Sequence, residues 1–335
     1  MEKKYKILIF IVAYEAQATL EKVLNRIPEE VFDYDTEILV IDDSSKDKTF
    51  EIGVKYSESK QYPITVLYNN ENQGYGGNQK LGYSYAIKNK FDIGILLHGD
   101  GQYTPEYIPA LIRPIIDNSA DAVIGSRMLL KGTALKGGIP LYKYIGNKIL
   151  TKIQNFLLRT NFSEFHSGYR VYSVASLSKI PFRYNSNDFH FDTELMIQLT
   201  LGNFKIKELP IPTYYGDEIC RVNGIKYAKN VIVTTILSRF HKINFFYDRK
   251  FDLHNNTNIF YDLKLGYKSS HTLALNEITQ ESNVLDIGCG QGNFVKELHK
   301  RGCKVVGIDM YEPENKSIFE NFIFGMNQKV FSLMM

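Results

Sequence analysis

Disulfides do not organise this chain. It has only three cysteines, Cys220, Cys289 and Cys303, odd in number and far apart. That excludes a disulfide framework and the ligand spacing of a zinc site, and it points to a reducing compartment. A membrane-spanning run is also missing, since no stretch reaches the ~18 apolar residues that a span requires. The N-terminal "MEKKYKILIFIVAYEA" comes nearest. Its apolar part covers about ten residues and no small-residue cleavage site follows, so it reads as a buried first strand. Charge imbalance is lacking too: 40 Lys and Arg against 37 Asp and Glu leave +3, no global argument for nucleic acid. Tryptophan is absent, yet there are 23 Tyr and 21 Phe. Tyrosine suits stacking on hydroxylated ligands and suits ordinary cores equally well.

What is present is a globular composition, 44% hydrophobic and 23% charged, over 335 residues. This length suggests two domains, or one large domain and an appendage. The first 126 residues alternate in type. Apolar runs at 5–14, 36–43, 63–69, 92–98 and 121–127 read as strands, and helical spacing fills 17–27, 44–59, 76–89 and 105–117. Such alternation predicts a mainly parallel, doubly wound sheet, in which ligands bind at the carboxyl ends of strands. Residues 130–140 read as a mobile Gly- and Lys-rich loop, 141–159 as a helix and 204–216 as an extended segment. The amphipathic stretch 225–246 suits a membrane surface, an ordinary covering helix or a dimer contact, the last two being favoured. A linker is expected over 247–280.

Polar residues gather at the expected strand ends. Asp42 and Asp43, in "LVIDDSSKDKT", suit a ribose and a base edge; alternatively Asp43 or Ser44 caps the next helix. Gly74, Gly76 and Gly77, in "NNENQGYGGNQKLGY", would leave N–H groups free for a diphosphate, or form a plain turn. In "LLHGDGQYTP", Asp100 and Gln102 alternate, so an extended backbone would aim both one way. Their hard oxygens, with diphosphate oxygens, suit Mg²⁺ or Mn²⁺.

Together, "IVAYEAQATLEKVLNRIP", "IDDSSKDKT", "NNENQGYGGNQKLGY", "HGDGQYTPEYI", "GSRM" and "FHSGYRVYS" resemble a family 2 glycosyltransferase of the GT-A fold, nearest its dolichyl-phosphate mannosyltransferase-like branch, over about residues 5–235. The resemblance implies a UDP- or GDP-linked sugar donor, Mg²⁺ or Mn²⁺, and inversion at the anomeric carbon. It places Ala13, Tyr14 and Glu15 (where Asn is usual) at the nucleoside, with Asp42 and Asp43 near base and ribose. Asn72, Gly74, Gly76 and Lys80 join the donor site. It places Asp100 and Gln102 on the metal. His98 stands where an Asp is usual, either as an unusual nitrogen ligand or, preferred here, as a residue that hydrogen-bonds nearby. Arg127, Ser167, Arg221 and Lys226 are implied for phosphate or acceptor contact; solvated loop charge is the alternative for Arg221 and Lys226. Glu164 and Arg170 match the segment usually written D-x-x-S-G-F-R. A lipid-phosphate acceptor is already an oxyanion, whereas a sugar hydroxyl needs a base. Glu164 is the candidate base, with an ion pair to Arg170 or a lysine as its structural alternative. Asp192 and Glu194 are further candidates.

A second motif, "VLDIGCGQGNF" at 284–294 followed by Asp309, has a strand, a glycine loop, a helix, a strand and an acid in order. It resembles the S-adenosylmethionine site of class I methyltransferases through Asp286, Gly288, Gly290 and Asp309. Only two strands are expected before residue 335, so a truncated, inactive Rossmann-like remnant is predicted. The expected organisation is a glycosyltransferase domain at 1–235, a helical or linker segment at 236–280 and the fragment at 281–335. The expected protein is a glycosyltransferase of cell-surface polysaccharide or glycolipid synthesis, cytoplasmic, with a nucleotide-sugar donor and a lipid-phosphate or glycan acceptor. It has no nucleic-acid partner, and peripheral membrane contact or self-association is compatible with it. The alternatives are a methyltransferase as the main activity, or a non-catalytic GT-A scaffold.

Overall fold

The computed structural model describes residues 4–60, 62–214, 222–253, 263–309, 313 and 315–324. The chain divides into two compact units, Met1–His254 and Asn255–Met335. The first contains β1 (Lys6–Ala13), α1 (Leu20–Asn25), β2 (Asp35–Asp42), α2 (Thr49–Glu58), β3 (Ile64–Tyr68), α3 (Tyr75–Lys88), β4 (Ile93–His98), α4 (Ile108–Ile116) and β5 (Ala122–Ser126). It continues with α5 (Thr133–Lys136), α6 (Leu141–Leu158), β6 (Arg170–Ser173), α7 (Val174–Leu177), α8 (Phe191–Leu201), β7 (Ile206–Pro210) and α9 (Gly224–Lys242).

The sheet order is β3-β2-β1-β4-β6-β5-β7. All pairings are parallel except those of β6, which runs antiparallel to β4 and β5. The period-2 alternation of a strand sends neighbouring side chains to opposite faces. In β1, Ile7, Ile9 and Ile11 therefore join Leu20, Val23 and Leu24 of α1 and Leu111 of α4. Leu8 and Phe10 join Tyr83 of α3 and Phe191 and Leu195 of α8 on the other side. Both faces are covered, which is why the strands read as unbroken apolar runs.

The sheet brings the carboxyl ends of β1, β2 and β4 side by side, with Ala13 opposite Asp42 and Val12 opposite His98. The loop before β6 carries residues 164–169 beside them.

The second unit contains α10 (Ser270–Glu277), β8 (Asn283–Ile287), α11 (Asn293–His299), β9 (Lys304–Asp309) and β10 (Asn321–Phe324). Its sheet has three parallel strands in the order β10-β9-β8, one more than expected. The extra strand, Asn321–Phe324, is four residues long and too short to show a period. Leu275, Val295, Leu298, Val305 and Phe319 form a small core of its own. Among the described residues no helix is long and apolar enough to cross a membrane.

Candidate active site

Asp42 ends β2 fully buried. Its Oδ1 accepts from the Ser45 amide at 2.8 Å, while Oδ2 is buried without a partner. Burial pushes its carboxyl above the usual range, against the pull of the Ser45 hydrogen bonds. Asp43 works differently. Its Oδ1 accepts from Asn69 Nδ2 and from the Gln73 amide, both at 2.8 Å, and its carbonyl accepts from Asn72 Nδ2 at 2.9 Å. Asp43 thus ties the β3–α3 loop to β2. Because α2 begins only at Thr49, neither Asp43 nor Ser44 caps it. Ala13 is buried and Tyr14 exposed. Glu15 stands in the left-handed region at φ 50°, its amide donating to Ser45 Oγ at 2.8 Å. Asn tolerates that conformation better than Glu.

A groove of about 490 Å³ lies beside Asp43, lined by Tyr68, Asn69, Asn70, Glu71, Gln73 and Leu81. A second cavity of about 270 Å³, with Tyr5, Asp92, Asp121 and Lys205 in its walls, lies at the opposite end of the parallel strands. That is the wrong end for a ligand in an open α/β sheet.

The glycines at the start of α3 allow a close approach of another segment of the protein. The Gly76 amide donates to the Asn187 carbonyl at 2.8 Å, and the Gly74 amide to Asn72 Oδ1 at 3.0 Å. A Cβ on Gly76 would sit 2.5 Å from the Ser186 carbonyl oxygen. Residues 186 and 187 therefore pack directly on this turn. Lys80 reaches the same segment, donating to the Asn185 carbonyl and, at 2.7 Å, to Asn187 Oδ1.

The segment after β4 is a turn, not an extended strand. Gly101 has φ 79°, and Asp100 Oδ1 accepts from the Gln102 amide at 2.9 Å. The Asp100 side chain is exposed and Gln102 half-buried. His98 faces inward. Its Nε2 lies 3.2 Å from Tyr75 Oη, and its ring meets Tyr103 edge-on, with centroids 4.9 Å apart. A Cβ on Gly168 would approach His98 Cε1 to 2.7 Å. Burial pushes the imidazole pKa down. His98 thus packs and hydrogen-bonds against Tyr75 and Tyr103. Among the described residues no cluster of three or more His, Cys, Asp or Glu could hold a metal alone.

Beneath this lies a polar network that sequence reasoning only partly foresaw. Tyr75 Oη donates to Asp192 Oδ2 at 2.8 Å, and Gln79 Nε2 to Oδ1 at 3.1 Å. Arg170, fully buried, lies 3.7 Å from Asp192 and donates to the carbonyls of Ser167 at 2.8 Å and Phe165 at 2.6 Å. Arg170 therefore shapes the 165–169 loop from inside the sheet. Ser167 is fully buried, and the Gly168 amide donates to Tyr103 Oη at 2.7 Å.

Glu164 is fully buried and engaged at both oxygens. Oε2 accepts from the Arg127 amide at 2.8 Å. Oε1 accepts from Arg127 Nε at 3.1 Å, from Arg127 Nη2, and from Asn147 Nδ2 at 2.8 Å. Burial would raise its pKa, but the Arg127 guanidinium and these hydrogen bonds hold it below the usual range. The expected ion pair thus needs correcting: the partner of Glu164 is Arg127, not Arg170. Glu194 is also engaged, accepting from the Ser186 amide at 2.6 Å and Lys250 Nζ at 2.9 Å. Lys226 pairs with Asp188 at 2.8 Å, and Arg221 lies outside the described residues. Tyr103, Asn147 and Tyr227 also belong to this assembly; remote segments supply them, so no local pattern announces them.

In the second unit, Gly288, Gly290 and Gly292 all have positive φ, and the Gly290 amide donates to Asp309 Oδ2 at 2.7 Å. Asp286 is raised by burial and by Asp309 opposite.

The model of glycosyl transferase family 2 matches residues 8–181, just over half of the chain. The chain belongs to this family. It is a glycosyltransferase, and a methyltransferase domain model matches residues 261–332 of the same chain. The family 2 unit is 29% identical to a UDP-N-acetylglucosamine–dolichyl-phosphate N-acetylglucosaminyltransferase of Methanococcus voltae, over 63% of this chain and 86% of that protein. It is 25% identical to an undecaprenyl-phosphate mannosyltransferase of Micrococcus luteus, over 62% and 82%. Its fold matches glucosyl-3-phosphoglycerate synthase of Mycobacterium tuberculosis, solved with Mn²⁺, UDP and phosphoglyceric acid, at a TM-score of 0.52, 18% identity and coverage of 70% and 78%. Mannosyl-3-phosphoglycerate synthase of Rubrobacter xylanophilus matches at 0.54, with 14% identity and coverage of 73% and 77%.

Proposed function

We propose that this glycosyltransferase moves a sugar from a UDP- or GDP-linked donor to the phosphate of a polyprenyl lipid, with inversion and with Mg²⁺ or Mn²⁺. The observation that carries the acceptor is the closure of Glu164. A sugar hydroxyl would need a base, and the acid at the matching position has both oxygens committed to Arg127 and Asn147. A lipid phosphate brings its own oxyanion and needs none. Relatives that act on dolichyl and undecaprenyl phosphate support the same reading.

The donor nucleoside lies across the ends of β1 and β2. The unpartnered Oδ2 of Asp42 would accept from a ribose or base donor, and Tyr14 offers an exposed ring beside it. For the ion, the exposed Asp100 carboxylate and the Gln102 amide oxygen are hard ligands of the right class. They fit a cation only together with diphosphate oxygens, which agrees with the absence of a protein-only cluster among the described residues. When bound, such an ion offsets charge on the departing diphosphate.

The test is incubation with UDP- and GDP-sugars, undecaprenyl or dolichyl phosphate and Mn²⁺ or Mg²⁺, followed by lipid extraction. A sugar-phosphate lipid of inverted anomeric configuration is expected. Transfer to glycan hydroxyls and to no polyprenyl phosphate would overturn the acceptor.

A further inference from the structure

Helices α6 and α9, which pack on each other, are turned inside out. The inward positions of α6 are Asn147, Thr151, Gln154 and Leu158, and those of α9 are Val231, Thr234, Thr235 and Ser238. The outward stripe of α6 carries Leu141, Ile145, Ile149 and Phe156, the last 83% exposed. The outward stripe of α9 carries Val233, Ile236 and Phe240, and Phe245 just beyond is 77% exposed. A helix on a globular surface normally does the reverse. The polar inner faces have work to do, since Asn147 bonds Glu164 and Thr234 bonds Glu194 at 3.3 Å. These apolar side chains are exposed, and a patch of this kind marks an interaction surface.

Charge identifies the partner. Residues 122–163 contain seven Lys and Arg and no Asp or Glu; residues 219–247 contain five and none. The whole chain nets only +3, so these two segments are rich in positive charge, although Arg127 pairs with Glu164 and Lys226 with Asp188. Lys148 and Lys152 are exposed on the α6 stripe itself, and Lys229 on that of α9. Neither helix contains an acid, and apolar side chains interleaved with lysine in this way fit an anionic lipid surface.

We propose that α6 and α9 form a face that docks peripherally on an anionic bilayer. Ile145, Ile149, Phe156 and Phe240 enter the acyl boundary, while Lys148, Lys152 and Lys229 meet the headgroup phosphates. The same helices hold Glu164 through Asn147, and His166 through Tyr227 at 2.8 Å, so docking sets residues 164–166 next to the membrane. This surface deepens the acceptor reading but is tested without it.

The experiment is flotation of the full chain with vesicles of phosphatidylcholine alone or mixed with phosphatidylglycerol, with no sugar donor or polyprenyl phosphate. Failure here is therefore separate from failure of the transfer assay. The protein should float with the anionic vesicles, less so at high salt, and weakly with the neutral ones. The combined Ile149→Ser, Phe156→Ser, Phe240→Ser variant should bind at least about tenfold more weakly, with an unchanged thermal midpoint. A second variant, Lys148→Gln, Lys152→Gln, Lys229→Gln, keeps the apolar stripe and should lose the preference for anionic vesicles. Wild-type protein that stays off anionic vesicles, or serine and glutamine variants that bind as wild type does, would overturn the proposal. Dimerisation abolished by the serine variant, without vesicle binding, would assign the face to a second copy of the chain.

Discussion

Arg127 and Glu164 form an ion pair that water scarcely reaches: the Arg127 side chain is 7% exposed and that of Glu164 not at all. Arg127 follows β5 and Glu164 precedes β6, so the pair staples the loop carrying residues 164–169 to the end of the neighbouring strand. Asn147 closes the pair from α6.

Removing one partner strands a buried charge. Glu164→Gln should cost about 3–5 kcal/mol of unfolding free energy, by urea denaturation. The double change Arg127→Met, Glu164→Leu should recover much of that stability, because the charge goes with its partner. If Glu164 instead acted as an exposed base, Glu164→Gln would leave stability intact and abolish turnover.

Asp100→Asn should behave in the opposite way. Its side chain is exposed and its bond to the Gln102 amide survives in Asn, so the thermal midpoint should hold. Mn²⁺-dependent affinity for UDP or GDP should fall about tenfold or more, as expected for loss of a charged hard ligand. Titration calorimetry with and without Mn²⁺ reads this directly, and equal affinity in both proteins would remove Asp100 from the metal site.

The first five strands were legible because a parallel strand covered on both faces is an unbroken apolar run. The antiparallel β6 was not, since "RVYS" is four residues long and opens with a buried arginine whose partners, Asp192 and the carbonyls of Phe165 and Ser167, come from elsewhere. The positions of Asp42, Asp43 and Asp100 at strand ends were readable, but their states were not. Nothing near Asp43 in sequence says that Asn69, Asn72 and Gln73 will consume it. The glycines of "QGYGGN" announced a close approach, but only the fold shows that Ser186 and Asn187 make it. Helical spacing located α6 and α9, yet the inward turn of their polar faces follows from Glu164 and Glu194, which lie outside both helices.

Gly168→Ala tests how tightly His98 is held. The new Cβ would lie 2.7 Å from His98 Cε1 and 2.8 Å from Tyr75 Oη. Overpacking of this kind costs about 1–3 kcal/mol. Adding His98→Ala should restore part of that loss by freeing the space. His98→Asp alone should destabilise through loss of ring packing against Tyr75 and Tyr103, without raising Mn²⁺ affinity. A gain in Mn²⁺ affinity would show that position 98 reaches the ion.

Acid should weaken the fold in two separable stages. Burial lowers His166 to about 4, so it is neutral in the folded protein where the unfolded chain has begun to protonate. Since the unfolded state then binds more protons, stability should fall as pH drops from about 6.5 towards 4, by about 2–3 kcal/mol for this residue. Glu164 has its folded pKa depressed, so its stabilising share is present above the ordinary carboxylate range and is lost only at lower pH. Urea midpoints across this range should show the first stage reduced in His166→Gln, which titrates in neither state, and the second reduced in the Arg127→Met, Glu164→Leu pair. A His166→Gln profile parallel to wild type between about pH 6.5 and 4 would show that other groups carry the first stage, His98 and His190 being the next to examine because burial lowers both.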